Sequence, residues 1–297
     1  MIENARFLAL VIAPGLAFVT LEMTATFVLA RRVNNFGIVD IVWSVGFTPL
    51  ALLYFTWSAR NLYFFGGSQY PLLSGGRTLF EAWPRSAVFT AMVAIWSMRL
   101  GIHLFVRVKS HHPTEDVRYA RLRHEWGQRV GTKMFGFFLL QGVLQVVLSI
   151  PVVLVNLNLQ RSYCPLALGW PETFGILLWF TGLIGESLAD RQLAAFRADP
   201  ANRGKVCQAG LWNHSRHPNY FFEWMIWVGY AVFALGSPLG WLGLIAPALM
   251  FHFLHNVTGI PMTEALSVRS KGDAYREYQR TTSAFVPWMK KKSGSNR

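Results

Sequence analysis

The sequence predicts an all-α, polytopic membrane protein, and three observations predict it. Apolar stretches of about 20 residues recur along the chain, long enough to cross a hydrocarbon core about 30 Å thick. Only 14% of the 297 residues are charged and 53% are hydrophobic, where a soluble domain carries about a quarter charged residues. The basic residues gather in alternate loops, as they do in chains that obey the positive-inside bias.

Seven spans are expected, at about 7–29, 37–58, 86–106, 135–157, 173–195, 220–236 and 240–258. The first is too long, and its preceding Met1–Arg6 too weakly basic, for a cleaved signal peptide, so it reads as a retained helix. The connection 60–85, with Gly66-Gly67, Pro71 and Gly75-Gly76, reads as a flexible external linker, and residues 107–134 as a cytoplasmic loop. Gly236-Ser237-Pro238-Leu239-Gly240 is a breaker cluster that predicts a tight turn between the last two spans. With the N-terminus outside and the C-terminus cytoplasmic, segments 31–36, 107–134, 196–219 and 259–297 hold 21 of the 28 Lys and Arg. One membrane domain spanning 1–297 is expected, with a disordered basic tail from about 289 to 297. The membrane would be the inner membrane of a bacterium or the endoplasmic reticulum of a eukaryote.

The net charge of +13 follows from this bias and reads as attraction to anionic lipid headgroups rather than as a nucleic-acid footprint. Membrane lipids are therefore expected partners, with no nucleic acid and no obligate protein partner. Cys164 falls outside and Cys207 inside, so the two cysteines cannot pair within one molecule. His111-His112, His214/His217 and His252/His255 lack the spacing of a di-iron histidine cluster, and no metal site is expected.

Ionisable residues inside spanning helices are costly and mark candidate sites. Here they are Glu22, Asp40, Arg99, Glu186, Asp190, Arg191 and Glu223. All but Glu22 lie toward the cytoplasmic leaflet, so they are expected to line one cavity open to the cytoplasm. Glu186 and Asp190 share a helix face at i, i+4, with Arg197 close to that face; internal ion pairs between helices are the alternative. Arg118 and Tyr119, in Glu115-Asp116-Val117-Arg118-Tyr119, suit phosphate binding and ring stacking, or a solvated basic loop.

The stretch LWNHSRHPNYFFEW at 211–224 is more specific. Pro218 suits the first helical position, which leaves Asn219, Tyr220 and their N–H groups at a positive helix end, an anion site. Arg216 and His217 add charge, and Glu223, one turn in, suits a ribose hydroxyl or an amide. An interfacial anchor accounts for Trp212 and Tyr220 but not for the Asn and Glu. Glu264 follows Gly259-Ile260-Pro261, and Tyr275 and Tyr278 share a face if the C-terminal segment is helical, where they either cover a ligand or pack at the interface.

Together LW…SRHPNYFFE, ESLADRQLAAFR at 186–197, EDVRY at 115–119, GIPMTE at 259–264 and the Tyr275, Tyr278, Phe285, Pro287 pattern resemble the DUF1295 family, which is similar to steroid 5α-reductase-like membrane enzymes. The resemblance runs from VDIVW at 39–43 to Pro287. It implies a reductase that takes NADPH from the cytoplasm, held by Trp212, Asn219, Glu223, Glu186, Asp190 and Arg197, with Arg99 and Arg118 in phosphate or nicotinamide contacts. The implied reaction reduces a C=C conjugated to a carbonyl in a lipophilic substrate, steroid-like or an enoyl lipid.

Departures from the pattern bear on the substrate. Steroid reductases carry a Gln-Glu pair and a Tyr that polarise the ketone; no such pair stands out here, and Trp96 sits where the Tyr would. Asp40 is the substitute acid, with Tyr220 and Glu223 as the other candidate catalytic groups. The glycine that the family has after the Tyr of its HPNY motif is Phe222. The alternative reading is a membrane methyltransferase of the isoprenylcysteine carboxyl methyltransferase type, using S-adenosylmethionine. That cofactor has no phosphate for Arg99, Arg118 and Arg197 to bind. A lipid-binding scaffold would not require the acids on the helix face.

Overall fold

A computed structural model describes residues 2–65, 84–111, 114–157 and 168–291. Among them there is no strand; one isolated bridge joins Ser215 and Ser283. Most of the linker 60–85, the end of the basic tail, His112 and Cys164 lie outside the described residues. Five helical stretches are long and apolar enough to cross a membrane: Ile12–Arg32, Ile38–Trp57, Pro84–Ser110, Val117–Leu148 and Gly240–Lys271. The chain divides into two compact units, Met1–Leu168 with Gly236–Leu242, and Gly169–Leu235 with Gly243–Arg297.

The first unit contains α1 (Ile2–Arg32), α2 (Ile38–Phe65), α3 (Pro84–His111), α4 (Val117–Trp126), α5 (Val130–Leu148) and α6 (Ile150–Leu157). Helix α2 packs along α3, and α1 lies against both α5 and α2. Met23, Ala30, Phe36, Val39, Tyr119, Met134 and Phe138 form one core. A ladder of edge-to-face rings, Trp43 on Phe47 and Phe47 on Trp96, ties α2 to α3. Trp96 is fully buried in that ladder.

Two expectations are refined in this unit. Residues 107–134 are mostly helical among the described residues: α3 runs to His111, and α4 and α5 are joined by a single 3₁₀ turn at Gly127–Arg129. Asp116 caps α4 by accepting from the Arg118 N–H at 3.0 Å, and Arg107, Arg118 and Arg123 form ion pairs with Asp116 and Glu115. The span expected at 135–157 is two helices, broken at Ser149. Pro151 has no N–H to offer the carbonyl one turn back.

The second unit contains α7 (Trp170–Ala198), α8 (Pro218–Ala234), α9 (Ile245–His252), α10 (Ile260–Lys271) and α11 (Asp273–Thr281). Helices α7 and α8 meet backbone to backbone. A Cβ on Gly175 would lie 2.6 Å from Phe233 N, one on Gly182 2.8 Å from Phe222 O, and one on Gly229 2.7 Å from Trp179 N. Rising numbers on α7 meet falling numbers on α8, so the pair is antiparallel, seated on small residues as membrane helices often are. The last expected span, 240–258, is not one regular helix. It comprises a 3₁₀ turn at Gly240–Leu244, α9, and a widened π turn at Phe253–Val257, with Gly240 N–H closing on the Ser237 carbonyl at 3.0 Å.

Candidate functional site

In the second unit the polar residues collect where α8 begins. Pro218 takes the first helical position, and the His217 side chain does not cap the helix. The chain arrives through a 3₁₀ turn, Gly210–Asn213, permitted by Gly210 at φ +56°. Gln192 Oε1 on α7 accepts from the Leu211 N–H at 2.9 Å. That fastening places Trp212, which is buried and donates through Nε1 to the Ala189 carbonyl at 2.9 Å.

A second set of bonds straps the C-terminal segment across this approach. Arg216 N–H donates to the Ser283 carbonyl at 2.8 Å, and Trp288 N–H to the His214 carbonyl at 2.9 Å. Ser215 Oγ donates to the Phe285 carbonyl at 2.8 Å. Tyr278 hydroxyl donates to the Trp212 carbonyl and reaches Ser215 O at 3.0 Å. Phe285 then sits in an aromatic cluster with Phe221, Trp224 and Phe251. Burial pushes the Tyr275 phenol up to about 12, with the Glu264 charge adding to it, and burial raises Tyr278 as well. Both stay protonated donors at neutral pH.

Glu264 is the hub of this end. It accepts from Arg216 Nε at 2.6 Å, His217 Nε2 at 3.2 Å and Gln279 Nε2 at 2.7 Å. Arg216 Nη1 also donates to the carbonyls of Gln279 and Thr282, at 2.8 and 2.7 Å. His217 stacks on Tyr220 at 5.3 Å, and the Tyr220 hydroxyl meets Thr263 Oγ1 at 3.2 Å. Arg216, His217 and Glu264, expected to bind cofactor, thus brace one another and the strap.

In the first unit the Glu115–Tyr119 stretch forms a clasp. Arg118 Nη2 donates to Asp40 Oδ2 at 2.6 Å, and the Tyr119 hydroxyl to Asp40 Oδ1 at 2.6 Å. Arg118 Nε also donates to Asp116 Oδ1 at 2.9 Å, and Arg107 Nη2 to Asp116 Oδ2 at 2.6 Å. Glu115 accepts from the Phe36 N–H at 2.7 Å and from Arg123. Asp40, the candidate acid, thus accepts from both a guanidinium and a phenol. Arg118 and Tyr119 lock α4 onto the start of α2.

Burial alone would raise the Asp116 carboxyl, but bonds to Arg118 and the charges of Arg118 and Arg107 hold it below its ordinary value. A carboxyl depressed by folding contributes stability that is fully present above its unfolded value and is lost as pH falls through its folded one. Melting temperature followed from pH 7 to about pH 3 should drop less steeply on the acid side for Asp116→Asn, which should start lower at neutral pH. Parallel curves would remove Asp116 from the acid limb.

The profile of DUF1295, described as a protein of unknown function, matches residues 26–282. The chain belongs to the DUF1295 family. No curated protein and no solved structure matches it significantly.

Of the groups expected to bind cofactor in this DUF1295 protein, Asn219, Asp190, Glu186 and Glu223 remain at the facing surfaces of α7 and α8. Asn219 Nδ2 donates to Asp190 Oδ1 at 3.3 Å, while Asn219 Oδ1 is buried without a hydrogen-bond partner. Glu223 accepts from Trp227 Nε1 at 2.9 Å, and Glu186 is buried on α7. The Phe222 ring lies over Gly185, where any Cβ would strike it, so the bulk on α8 is matched by a glycine on α7. Arg99 lies half-buried on α3, apart in sequence from the clasp it was grouped with. Arg197, in the last turn of α7, lines a basic cavity.

One polar couple in the DUF1295 chain escaped sequence reading. Glu22 on α1 is hydrogen-bonded to the side chain of Gln145 on α5, and Gln145 Nε2 also donates to the Trp43 carbonyl at 3.1 Å. Gln145 is fully buried. Glu22 Oε2 and Gln145 Oε1 are buried without partners. Gly46 on α2 makes the room, since a Cβ there would collide with both side chains. Among the described residues no group of three His, Cys, Asp or Glu could hold a metal ion.

Proposed function

We propose that this DUF1295 protein is a membrane-embedded, NADPH-dependent reductase of a C=C bond conjugated to a carbonyl in a lipophilic substrate, with seven spans, N-terminus outside and the cofactor drawn from the cytoplasm. The observation that carries this reading is the Glu22–Gln145 couple. Two polar side chains held together inside spanning helices, each with an oxygen lacking a partner, are costly unless they serve a ligand. A carbonyl group in an apolar substrate can accept from Glu22 Oε2 when that carboxyl carries a proton. The protonated Glu22 carboxyl supplies a donor that stabilises an enolate oxygen, more strongly where water is excluded, and Gln145 Nε2, fixed on the Trp43 carbonyl at 3.1 Å, orients it. In this reading Glu22 and Gln145, on two different helices, take the part of the Gln-Glu pair that steroid reductases carry.

The second unit supports the nucleotide half of the reading. Asn219 Oδ1 is an orphaned acceptor at the uncapped start of α8 and fits a carboxamide or ribose donor. Glu186, Asp190 and Glu223 suit hydroxyls and amides rather than phosphates. NADPH, when bound, supplies the hydride for the β-carbon. The chain's own part is to orient the cofactor through Asn219 and these acids, and to exclude water.

Thermal stabilisation of detergent-purified protein tests this. NADPH at 100 times its dissociation constant should add about 2.7 kcal/mol, and Asn219→Ala should remove most of that gain. Stabilisation by S-adenosylmethionine alone would replace the reductase with a methyltransferase. No response to either would leave a lipid-binding scaffold.

A further inference from the structure

The strap that closes the approach to α8 ends on an exposed apolar tip. Val286, Trp288 and Met289 are 48%, 71% and 83% exposed. Single exposed apolar residues are ordinary, but three so close together form a patch. The backbone beneath them is fixed: Trp288 N–H donates to the His214 carbonyl at 2.9 Å, and Lys291 N–H to the Thr281 carbonyl at 2.8 Å. Phe285, just before the tip, is buried. The fold thus holds these side chains outward on an anchored backbone.

The tip lies beside apolar helices. Phe285 packs with Leu254 and Ile260 and against Met250, within the stretch Gly240–Lys271 that is long and apolar enough to cross a membrane. His214, which the Trp288 N–H grips, comes just before α8. At the other end of the antiparallel α7–α8 pair, Trp170 is 72% exposed at the first position of α7. The 17 residues of α8 rise about 26 Å, close to a hydrocarbon core of about 30 Å. An exposed indole at each end of such a length is the placement of interfacial tryptophans.

Charge points to the kind of lipid. Lys290 and Lys291 follow the tip directly, and among the described residues neither has a carboxylate within ion-pair distance. Lys290 Nζ donates to the side-chain oxygens of Gln208 and Asn213, which orient it without neutralising it. Lysines beside an inserted apolar group meet the phosphates of anionic lipids.

We propose that Val286, Trp288 and Met289 form a foot seated in the membrane interface, with Lys290 and Lys291 on the headgroup phosphates of anionic lipid. The strap is then held from two sides, by the turn before α8 and by the bilayer. The contact is independent of cofactor and substrate.

For the test, full-length protein carrying Met289→Cys in a Cys164→Ser/Cys207→Ser background is labelled with bimane. It is placed, one copy per disc, in nanodiscs of phosphatidylcholine with or without phosphatidylglycerol. Acrylamide, an uncharged quencher, reports water around the label, and lipids brominated on the acyl chain report the membrane. Anionic discs should blue-shift the emission, cut acrylamide quenching and raise bromine quenching. Each lysine near an anionic surface is worth about fivefold in partition, so Lys290→Gln/Lys291→Gln should lose about 25-fold. Amide exchange at Trp288 and Lys291 of the unsubstituted protein gives a second reading, and should slow in the anionic discs. A label in water in both discs, with exchange unchanged, overturns the proposal. Equal burial in both discs, unmoved by the lysine changes, overturns it too and leaves an apolar anchor indifferent to charge. Burial found only in discs holding two copies overturns it in favour of a contact between chains.

Discussion

Glu264→Ala is expected to cost about 3–5 kcal/mol, the toll of removing one partner from a largely buried ion pair. The side chains of Arg216 and Glu264 are only 11% and 15% exposed. The substitution strands the Arg216 guanidinium, removes the acceptor of His217 and Gln279, and loosens the strap that Arg216 holds through the Gln279 and Thr282 carbonyls. Glu264→Gln keeps acceptor oxygen and volume and should cost clearly less. Unfolding in detergent gives the size of the effect, and limited proteolysis after Thr282 gives its place. A Glu264→Ala protein within about 0.5 kcal/mol of wild type, the range of an ordinary surface change, would show that this hub holds nothing together.

The second large effect falls on turnover. Replacing Glu22 by Gln keeps the volume beside Gly46 and Gln145 but removes the acid. If the couple stabilises an enolate, the rate on a lipophilic enone should fall about 10²–10³-fold, the range for losing one donor of an oxyanion site. Stability should move the other way or not at all, because an ionisable group inside a spanning helix is a cost to the fold. Gln145→Leu should lower the rate too, while cutting the tie to the Trp43 carbonyl. Full activity in Glu22→Gln would reduce the couple to a packing feature between α1 and α5.

What the sequence revealed and what it hid divide along one physical line. Long apolar runs and breakers act locally, so α2 and α3 appear near their expected places, and Pro218 marks the start of α8 to within two residues of the expected 220. Partnership over distance has no local signature. Glu22 and Gln145 are 123 positions apart, and nothing around either announces the other. Arg216 and His217 read as cations without a partner because Glu264 stands 48 positions away from Arg216. Asp40 looked like a lone acid for the same reason, since Arg118 arrives 78 positions later. The helices within 107–134 were hidden for the same reason, since Asp116 and Glu115 pair there with Arg107, Arg118 and Arg123. The match of Phe222 to Gly185 was half visible: the bulk could be read, the space waiting for it could not.

The strap across the approach to α8 sets an order of events during synthesis. The turn at Ser215 is closed by Ser283, Phe285 and Tyr278, residues that leave the ribosome more than 60 positions later. At about 5–20 residues per second, that interval is roughly 3–14 s. Throughout it the nascent chain already carries Arg216, His217 and Asn219 but lacks what holds them in register. Helix α8 can form early, whereas the turn before it reaches its final register among the last things to happen. A chain that stalls or is trimmed before Phe285 would therefore be largely folded with that turn left unfastened.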